Sequence, residues 1–281
     1  MAKRQYYIRI FSSRIFPRIV LILMSILFIL PFYWMIITSI KSLEELQRIP
    51  PTLIPHSFNW ENFIYAVNYI PFFKFLRNSL FLTISAVIGS VISNSLVSYS
   101  VARINWKGRE QLFYLIIATM FLPFPVILVA VFDIFAKFHM INTFWPLILP
   151  YCMGSATYIF MMRQYLLSIP LDISDAGFID GANEWQIFFR IILPIMQPVI
   201  AVVAIFNALN AWSDFLGPLL YLQNEALYPL SIGLQFFRSE HKIEYSQLMT
   251  ASTLVALPVV VIFLCFQRFF VEGITMGAMK G

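Results

Sequence analysis

Apolar residues in this chain neither alternate nor keep to one helical face. They come in long blocks separated by short polar or proline-punctuated stretches. A helix needs roughly 20 predominantly apolar residues to cross the hydrocarbon of a bilayer. Six blocks reach that length: Ile19–Ile40, Ser79–Val101, Gln111–Phe135, Phe144–Met162, Ile195–Gly217 and Leu248–Phe270. Soluble cores rarely supply so many segments of this size, so the pattern predicts an all-α integral membrane protein with six transmembrane helices. It divides the chain into an N-terminal tail with the first span and an external segment (1–78), a core of five spans (79–271) and a short tail (272–281).

The blocks are not uniform. Pro31, Pro123, Pro125, Pro150, Pro198 and Pro258 lie within them and predict bends, tolerated where neighbouring helices re-satisfy the freed backbone groups. The second block is unusually small and polar, with Ser79, Ser85, Gly89, Ser90, Ser93, Asn94, Ser95 and Ser98. Two readings are open for it: close helix packing with bonds across helices, or one wall of a translocation path. In the fifth block Asn207, Asn210 and Asp214 fall on one helical face at spacings of three and four. Polar groups at that depth face protein or a water-filled cavity, so path lining and interhelical bonding are both open; Asp214 is close enough to the outer end to be solvated.

One connection stands apart. DISDAGFIDGANEWQIFFRIILP, residues 172–194, places Asp172, Asp175, Asp180 and Glu184 in a chain that is 60% hydrophobic and 12% charged. Pro170, Asp172 and Asp175 suit the start of a short helix. Gly181 suits its end in the left-handed conformation. Asn183 and Gln186 form the pattern of a capping box for a second helix carrying Trp185, Phe188, Phe189 and Ile192. An acidic polar face is unsuited to an anionic membrane surface, which points to a protein partner.

Lys3, Arg4, Arg9, Arg14 and Arg18 precede the first span without an acid, and Arg103, Lys107 and Arg109 occupy the second connection. By the positive-inside rule both lie in the cytoplasm, as then do both termini and the acidic loop. The net charge of +5 reflects this topology rather than nucleic-acid binding. The first apolar stretch is longer than a signal-peptide core and no clear cleavage site follows it, so it reads as an uncleaved span. Cys152 and Cys265 lie in different spans and read as packing residues. The histidines His56, His139 and His241 are scattered, and neither an HExxH motif nor a phosphate-binding loop is present; no metal, bound cofactor or catalytic residue is expected. Aromatic residues mark two external stretches, Trp60 to Phe73 and Tyr221, Tyr228, Phe236 and Phe237.

The acidic stretch resembles the EAA loop of ABC-importer permeases, in which E-A-A is followed after three residues by G and after nine more by I-x-L-P. Asp175-Ala176-Gly177 stands at the first element, Gly181 within Asp180-Gly181-Ala182 at the second, and Ile191-Ile192-Leu193-Pro194 at the third. Asp replaces Glu and Gly177 replaces the second Ala, a change expected to loosen the helix by up to about 1 kcal/mol. AWSDFLGPLLYL and the C-terminal FVEGITMGAMKG resemble the MalG-type subunit of carbohydrate importers, as do FNWENFIYAV and FLRNSLFLT.

The resemblance, which runs from about residue 58 to the C-terminus, implies a MetI-like permease fold in a bacterial inner membrane. It implies a heterodimer with a second permease, two copies of an ABC ATPase that uses ATP and Mg, and an extracytoplasmic substrate-binding protein. The 170–194 loop would then couple to the ATPase through Asp175, Ala176, Gly177, Asp180, Gly181, Ala182, Trp185, Phe188, Phe189, Leu193 and Pro194. Gly277, Lys280 and Gly281 would form a second contact, and the Pro218 to Gln247 connection would meet the binding protein. Asn94, Asn207 and Asn210 would line the path of a sugar. A non-sugar solute such as glycerol phosphate, and a stand-alone secondary transporter, are the alternatives.

Overall fold

The computed structural model describes residues 15–237 and 245–278, and these are all-helical, with no strand among them. In chain order the helices are α1 (Phe16–Ser39), α2 (Leu43–Leu46), α3 (Glu61–Tyr69), α4 (Phe72–Ala102), α5 (Arg109–Ala118), α6 (Phe124–Lys137), α7 (Trp145–Cys152), α8 (Ala156–Ser168), α9 (Asp172–Ile179), α10 (Glu184–Ile187), α11 (Leu193–Ile195), α12 (Gln197–Ser213), α13 (Leu216–Tyr221), α14 (Leu230–Gly233) and α15 (Tyr245–Ala278). The chain forms two compact units. One comprises Met1–Pro71 and Leu234–Ala256, the other Phe72–Gly233 and Leu257–Gly281.

Three helical stretches are long and apolar enough to cross a membrane alone: α1, α4 and Tyr245–Cys265 of α15. Two bent pairs meet the same test jointly, Arg109–Phe121 with Pro125–Lys137 at 105° and Glu184–Ile195 with Gln197–Ser213 at 76°. The described residues thus contain three spans, or up to five if each bent pair is one span. The first bend has a local cause. Pro123 and Pro125 lack amide hydrogens and push the preceding residue out of the helical region. Leu122, which precedes Pro123, is accordingly extended at ψ 119°, Pro123 stays extended at ψ 132°, and Pro125 is accommodated in the first turn of α6.

The fourth apolar block departs from the single helix expected over Phe144–Met162. It is split into α7, eight residues long, and α8, 13 residues long. Gly154 takes φ +85° and Ser155 is extended at φ −124°, ψ 131°. A run of apolar residues sets burial but not continuity, and Pro150 followed by a left-handed glycine ends the helix.

In the larger unit α4 is the hub, packed against α7, α8 and α12. Its core includes Tyr99, Met162, Leu166, Ile187, Phe188, Ile192, Met196 and Val203. A second cluster gathers Leu82, Phe135, Leu147, Tyr221 and Leu222. Tyr221 is therefore a core residue rather than the exposed contact its position in the fifth connection suggested. In the smaller unit Phe237 is likewise buried, 5.1 Å from the Tyr69 ring. Phe236 stays exposed. Cys152 and Cys265 are free and exposed on this chain, although the Cys152 sulfur also lies against Gly89 of α4.

The smaller unit orders its proline-rich strap around buried polar groups. Asn62 Nδ2 donates to the carbonyls of Ser39 (2.9 Å) and Lys41 (3.0 Å) and to Ser246 Oγ (2.9 Å), while Thr250 donates to Ser39 at 3.0 Å. Lys41 is buried, donates to the Thr52 carbonyl and lies 5.0 Å from the centre of the Trp34 ring. Glu45 accepts from Thr52 Oγ1 at 2.6 Å and from the His56 amide at 3.1 Å.

The bond from Thr52, with smaller help from His56 and Lys41, holds the Glu45 carboxyl below its ordinary value of 4.5 against the opposing effect of burial. Such a group contributes stability that is fully present above its unfolded pKa and is lost as pH falls through its folded pKa. Hydrogen-exchange protection of residues 43–56 is therefore expected to be constant from neutral pH down to about 5 and to fall only below the ordinary carboxylate range. In Glu45→Gln the protection is expected to be lower at neutral pH and flat across the same range.

Candidate functional site

The acidic connection folds as two short helices at an angle to the span that follows. Helix α9 ends at Asp180, and Gly181 takes φ +81° to turn the chain. Asn183 then caps α10. Its side chain accepts from the Gln186 amide at 3.0 Å while its own amide donates to Gln186 Oε1 at 2.9 Å, a complete capping box. A single π-helical turn over Phe188–Ile192 leads through α11 into α12, bent by 76°.

The loop is clamped to the core. Ile187, Phe188 and Ile192 are at most 2% exposed, and the Phe188 ring lies 4.9 Å from that of Tyr99 on α4. The Tyr99 hydroxyl donates to Glu184 Oε2 at 2.8 Å. Arg103 donates to the carbonyls of Ile169 (3.0 Å) and Pro170 (3.1 Å), and Tyr165 to that of Ile195 (3.0 Å). Burial lowers the Arg103 pKa, while Tyr99 and Asp175 oppose the shift. Glu184 is thus an anchoring carboxylate.

The exposed side of the loop is acidic and apolar together. Asp172, Asp175, Ala176, Asp180, Gly181 and Pro194 are exposed, as are the stacked rings of Trp185 and Phe189, 6.0 Å apart. Phe178 and Ile179 join them, Ile179 at 86% exposure. Sequence reasoning passed over that pair, although two large apolar residues immediately before an Asp-Gly turn are the signal that marks them. Ala182 and Leu193 are half-buried. Phe188, grouped by sequence with the aromatic flank, faces inward and holds the loop instead. Gly177 is buried too. A methyl group on it would lie 3.0 Å from Ile191 Cδ1 and 3.2 Å from Ile187 Cγ1, so glycine lets the loop helices approach.

A second feature lies at the α7–α8 break. Its irregular backbone is served by α4: Asn94 Oδ1 accepts from the Ser155 amide at 2.8 Å, while Asn94 Nδ2 donates to the Ser90 carbonyl at 2.6 Å and Ser90 Oγ at 2.8 Å. Ser93 donates to the Tyr151 carbonyl at 3.3 Å. Beside the break is a cavity of about 370 Å³ whose lining includes Ser90, Tyr151, Ser155, Tyr158, Asn207 and Asn210. Asn207 donates to the Val203 carbonyl at 2.8 Å and Asn210 to the Tyr158 hydroxyl at 3.2 Å. Two of the three asparagines singled out by sequence therefore share one cavity. Asn94 is fully buried behind it, and Asp214 ends α12 and caps α13 through the Gly217 amide at 3.0 Å.

Comparison with known proteins agrees with this architecture. The family described as "Binding-protein-dependent transport system inner membrane component" matches residues 94–275. The chain belongs to this family. Among its relatives, the arabinooligosaccharides transport system permease protein AraQ of Halalkalibacterium halodurans is 34% identical over 256 residues, covering 90% of this chain and 91% of that one. AraQ of Bacillus subtilis is 32% identical over 262 residues, covering 92% and 93%. A crystal structure of a bacterial ABC transporter involved in the import of the acidic polysaccharide alginate superposes with a TM-score of 0.82 at 20% identity, over 92% of this chain and 98% of that one.

The fold is thus the MetI-like permease fold, and the inner membrane component's matched region contains both the clamped loop and the helix break. Of its C-terminal residues, Gly277 lies in the last described turns of α15, whereas Lys280 and Gly281 lie outside the described residues.

Two substitutions test this geometry. Asn94→Leu leaves the half-buried Ser155 amide without its side-chain partner, and is expected to lower stability by about 1 kcal/mol in thermal unfolding of the detergent-purified chain. Gly177→Ala sets a gain in helix propensity of up to about 1 kcal/mol against small movements of two isoleucine side chains, so its net effect is expected within about 1 kcal/mol. Gly177→Leu is expected to part the loop helices and open the buried turn around Ile187 to protease.

Proposed function

We propose that this chain is the transmembrane permease subunit of an ATP-driven, binding-protein-dependent sugar importer and that the exposed face of α9 and α10 is where the ATPase docks. The observation that carries this reading is an acidic, apolar patch on a loop that is itself locked to the spans. Ile179, Trp185 and Phe189 offer buriable area, and Asp175 and Asp180 offer charge. The clamp through Tyr99, Glu184 and Phe188 means that a pull on the patch is passed to α4 and α12 rather than absorbed by the loop.

In this reading six spans cross the membrane, α7 and α8 together making the fourth. Helices α7 and α8 hold 8 and 13 residues, about 31 Å of helix at 1.5 Å per residue, enough for the hydrocarbon. Both termini and the loop then face the cytoplasm, as the basic residues of the first tail and second connection require. The chain works as a heterodimer with a second permease, above two copies of the ATPase and below a substrate-binding protein. ATP hydrolysis belongs to the ATPase and needs no catalytic group or metal in this chain. The names of the AraQ relatives support an oligosaccharide as cargo. A charged solute such as glycerol phosphate is the weaker reading, because no charged residue lines the cavity.

Co-purification with a co-expressed ATPase tests the docking face. The double substitution Ile179→Ala and Trp185→Ala is expected to reduce ATPase recovery at least tenfold while membrane insertion is unchanged. Gly181→Pro, which cannot reach φ +81° and loses the Gly181 amide bond to the Phe178 carbonyl, is expected to abolish ATPase-driven transport. Full recovery and transport in both variants would remove the loop from the mechanism.

A further inference from the structure

Helix α1 ends at Ser39, yet the strap that follows turns back along it. The Tyr33 hydroxyl donates to the Leu53 carbonyl at 2.7 Å. The Lys41 ammonium donates to the neighbouring Thr52 carbonyl and lies over the ring of Trp34. Tyr33 and Trp34 stand about 9 and 7.5 Å short of the end of α1, at 1.5 Å per residue. Helical side chains also lean toward the N-terminus, away from that end. At 24 residues α1 is about 36 Å long, roughly 6 Å more than the hydrocarbon thickness of about 30 Å. Even with the whole surplus placed at this end, Thr52 and Leu53 are level with the edge of the hydrocarbon.

Irregular backbone at that level must be paired internally, because lipid offers it no partners. The strap meets this demand. Pro50, Pro51 and Pro55 have no amide hydrogen to satisfy. The Thr52 and Leu53 carbonyls are taken by Lys41 and Tyr33, and the Thr52 hydroxyl and His56 amide by the Glu45 carboxylate. Lys41 and Glu45 are themselves 2% and 4% exposed. A strap washed by water would have its backbone hydrated, and would gain little from burying two ionisable side chains to serve it.

The outward side chains of the strap are apolar. Ile49, Leu53 and Ile54 are 95%, 64% and 73% exposed on this chain. One flank carries the exposed Arg48, the other the stacked rings of Phe58 and Trp60, 6.5 Å apart. A cation and aromatic rings beside an apolar stretch match a membrane–water interface, where the cation reaches headgroup phosphates and the rings sit at headgroup level. A water-soluble partner docks on what projects beyond the end of a span, whereas Thr52 and Leu53 lie beside one.

We propose that residues 49–54 form an interfacial wedge that seats Ile49, Leu53 and Ile54 at the boundary between headgroups and acyl chains of the outer leaflet and anchors that end of α1. Contact with lipid follows from α1 being a span; the choice of leaflet rests on the topology proposed above.

The test uses the complete transporter in nanodiscs, with Cys152 and Cys265 replaced by serine. A nitrobenzoxadiazole fluorophore is placed on the thiol introduced by Ile54→Cys or, as a reference in α2 beyond the end of α1, by Glu44→Cys. Lipids with a nitroxide on the fifth acyl carbon are expected to quench the label at 54 at least threefold more than the label at 44. Aqueous iodide is expected to quench it at least threefold less. Leu53→Cys gives the same measurement where the labelled variant at 54 does not assemble. Iodide reaching 54 as readily as 44 overturns the proposal, whether or not the binding protein then shields it. So does a label at 54 that neither quencher reaches, which would place the strap under the second permease. Reaction of Glu44→Cys with a membrane-impermeant maleimide in intact cells is scored separately. Its failure overturns the leaflet and the topology behind it, whereas loss of lipid quenching with that reaction intact counts against the wedge alone.

Discussion

One hydrogen bond, from the Ser155 amide to Asn94, underlies the arrangement of the larger unit. A helix that breaks inside an apolar block exposes amides and carbonyls that neither lipid nor aliphatic side chains can pair, at a cost of several kcal/mol for each such group. Asn94 meets the amide at the point of the break, and Ser93 meets the Tyr151 carbonyl just before it. The kink between α7 and α8 is thereby tied to the face of α4 that carries these two residues. The small residues around them follow from the same constraint. Gly89 lies against Cys152, where a side chain would collide with the sulfur, so the helix that services the break must also approach it closely.

The same helix holds the acidic loop. Tyr99 lies five residues beyond Asn94, about 7.5 Å along the axis at 1.5 Å per residue, and it meets the loop twice, through its hydroxyl on Glu184 and its ring against Phe188. On the other side the π-helical turn and α11 run directly into α12, which carries Asn207 and Asn210. The loop is therefore joined to both walls of the cavity by packed, hydrogen-bonded structure. Few soft elements lie between them: the turn at Gly181 is inside the loop, and the bend at Met196 is filled by a residue at 0% exposure. A force applied at the acidic patch has a short, stiff route to the helix break.

How much of this was legible in the sequence differs by level. Apolar block length identified a membrane helical protein, because the bilayer imposes a length that no competing signal disguises. The turn chemistry of Gly181 and the Asn183–Gln186 capping box were also legible, since both depend on local backbone and side-chain geometry. The split of the fourth block was not, because Pro150 and Gly154 are each compatible with a bent but continuous span; the decision lay with Asn94, sixty-one residues away. Burial within the loop was equally hidden. Phe188 and Phe189 are adjacent and chemically alike, yet a helix turns about 100° per residue, so one faces the core and the other the surface. Only the position of Tyr99 decides which.

The departures from the family's usual loop pattern become intelligible at the same level. Glycine at 177 was expected to weaken α9 through its propensity alone. In place, it is the point where α9 meets Ile187 and Ile191, and a methyl group would press on both. The propensity loss of up to about 1 kcal/mol is therefore set against closer packing of the two loop helices, and the loop's stiffness comes from that packing and from Tyr99 rather than from helix formation in eight residues, which is marginal in isolation. Aspartate at 175 follows the same logic. It is exposed and near Arg103, the residue that pins the loop's entry at Ile169 and Pro170. A carboxylate at this position stays exposed on the face proposed for docking and still acts electrostatically on Arg103.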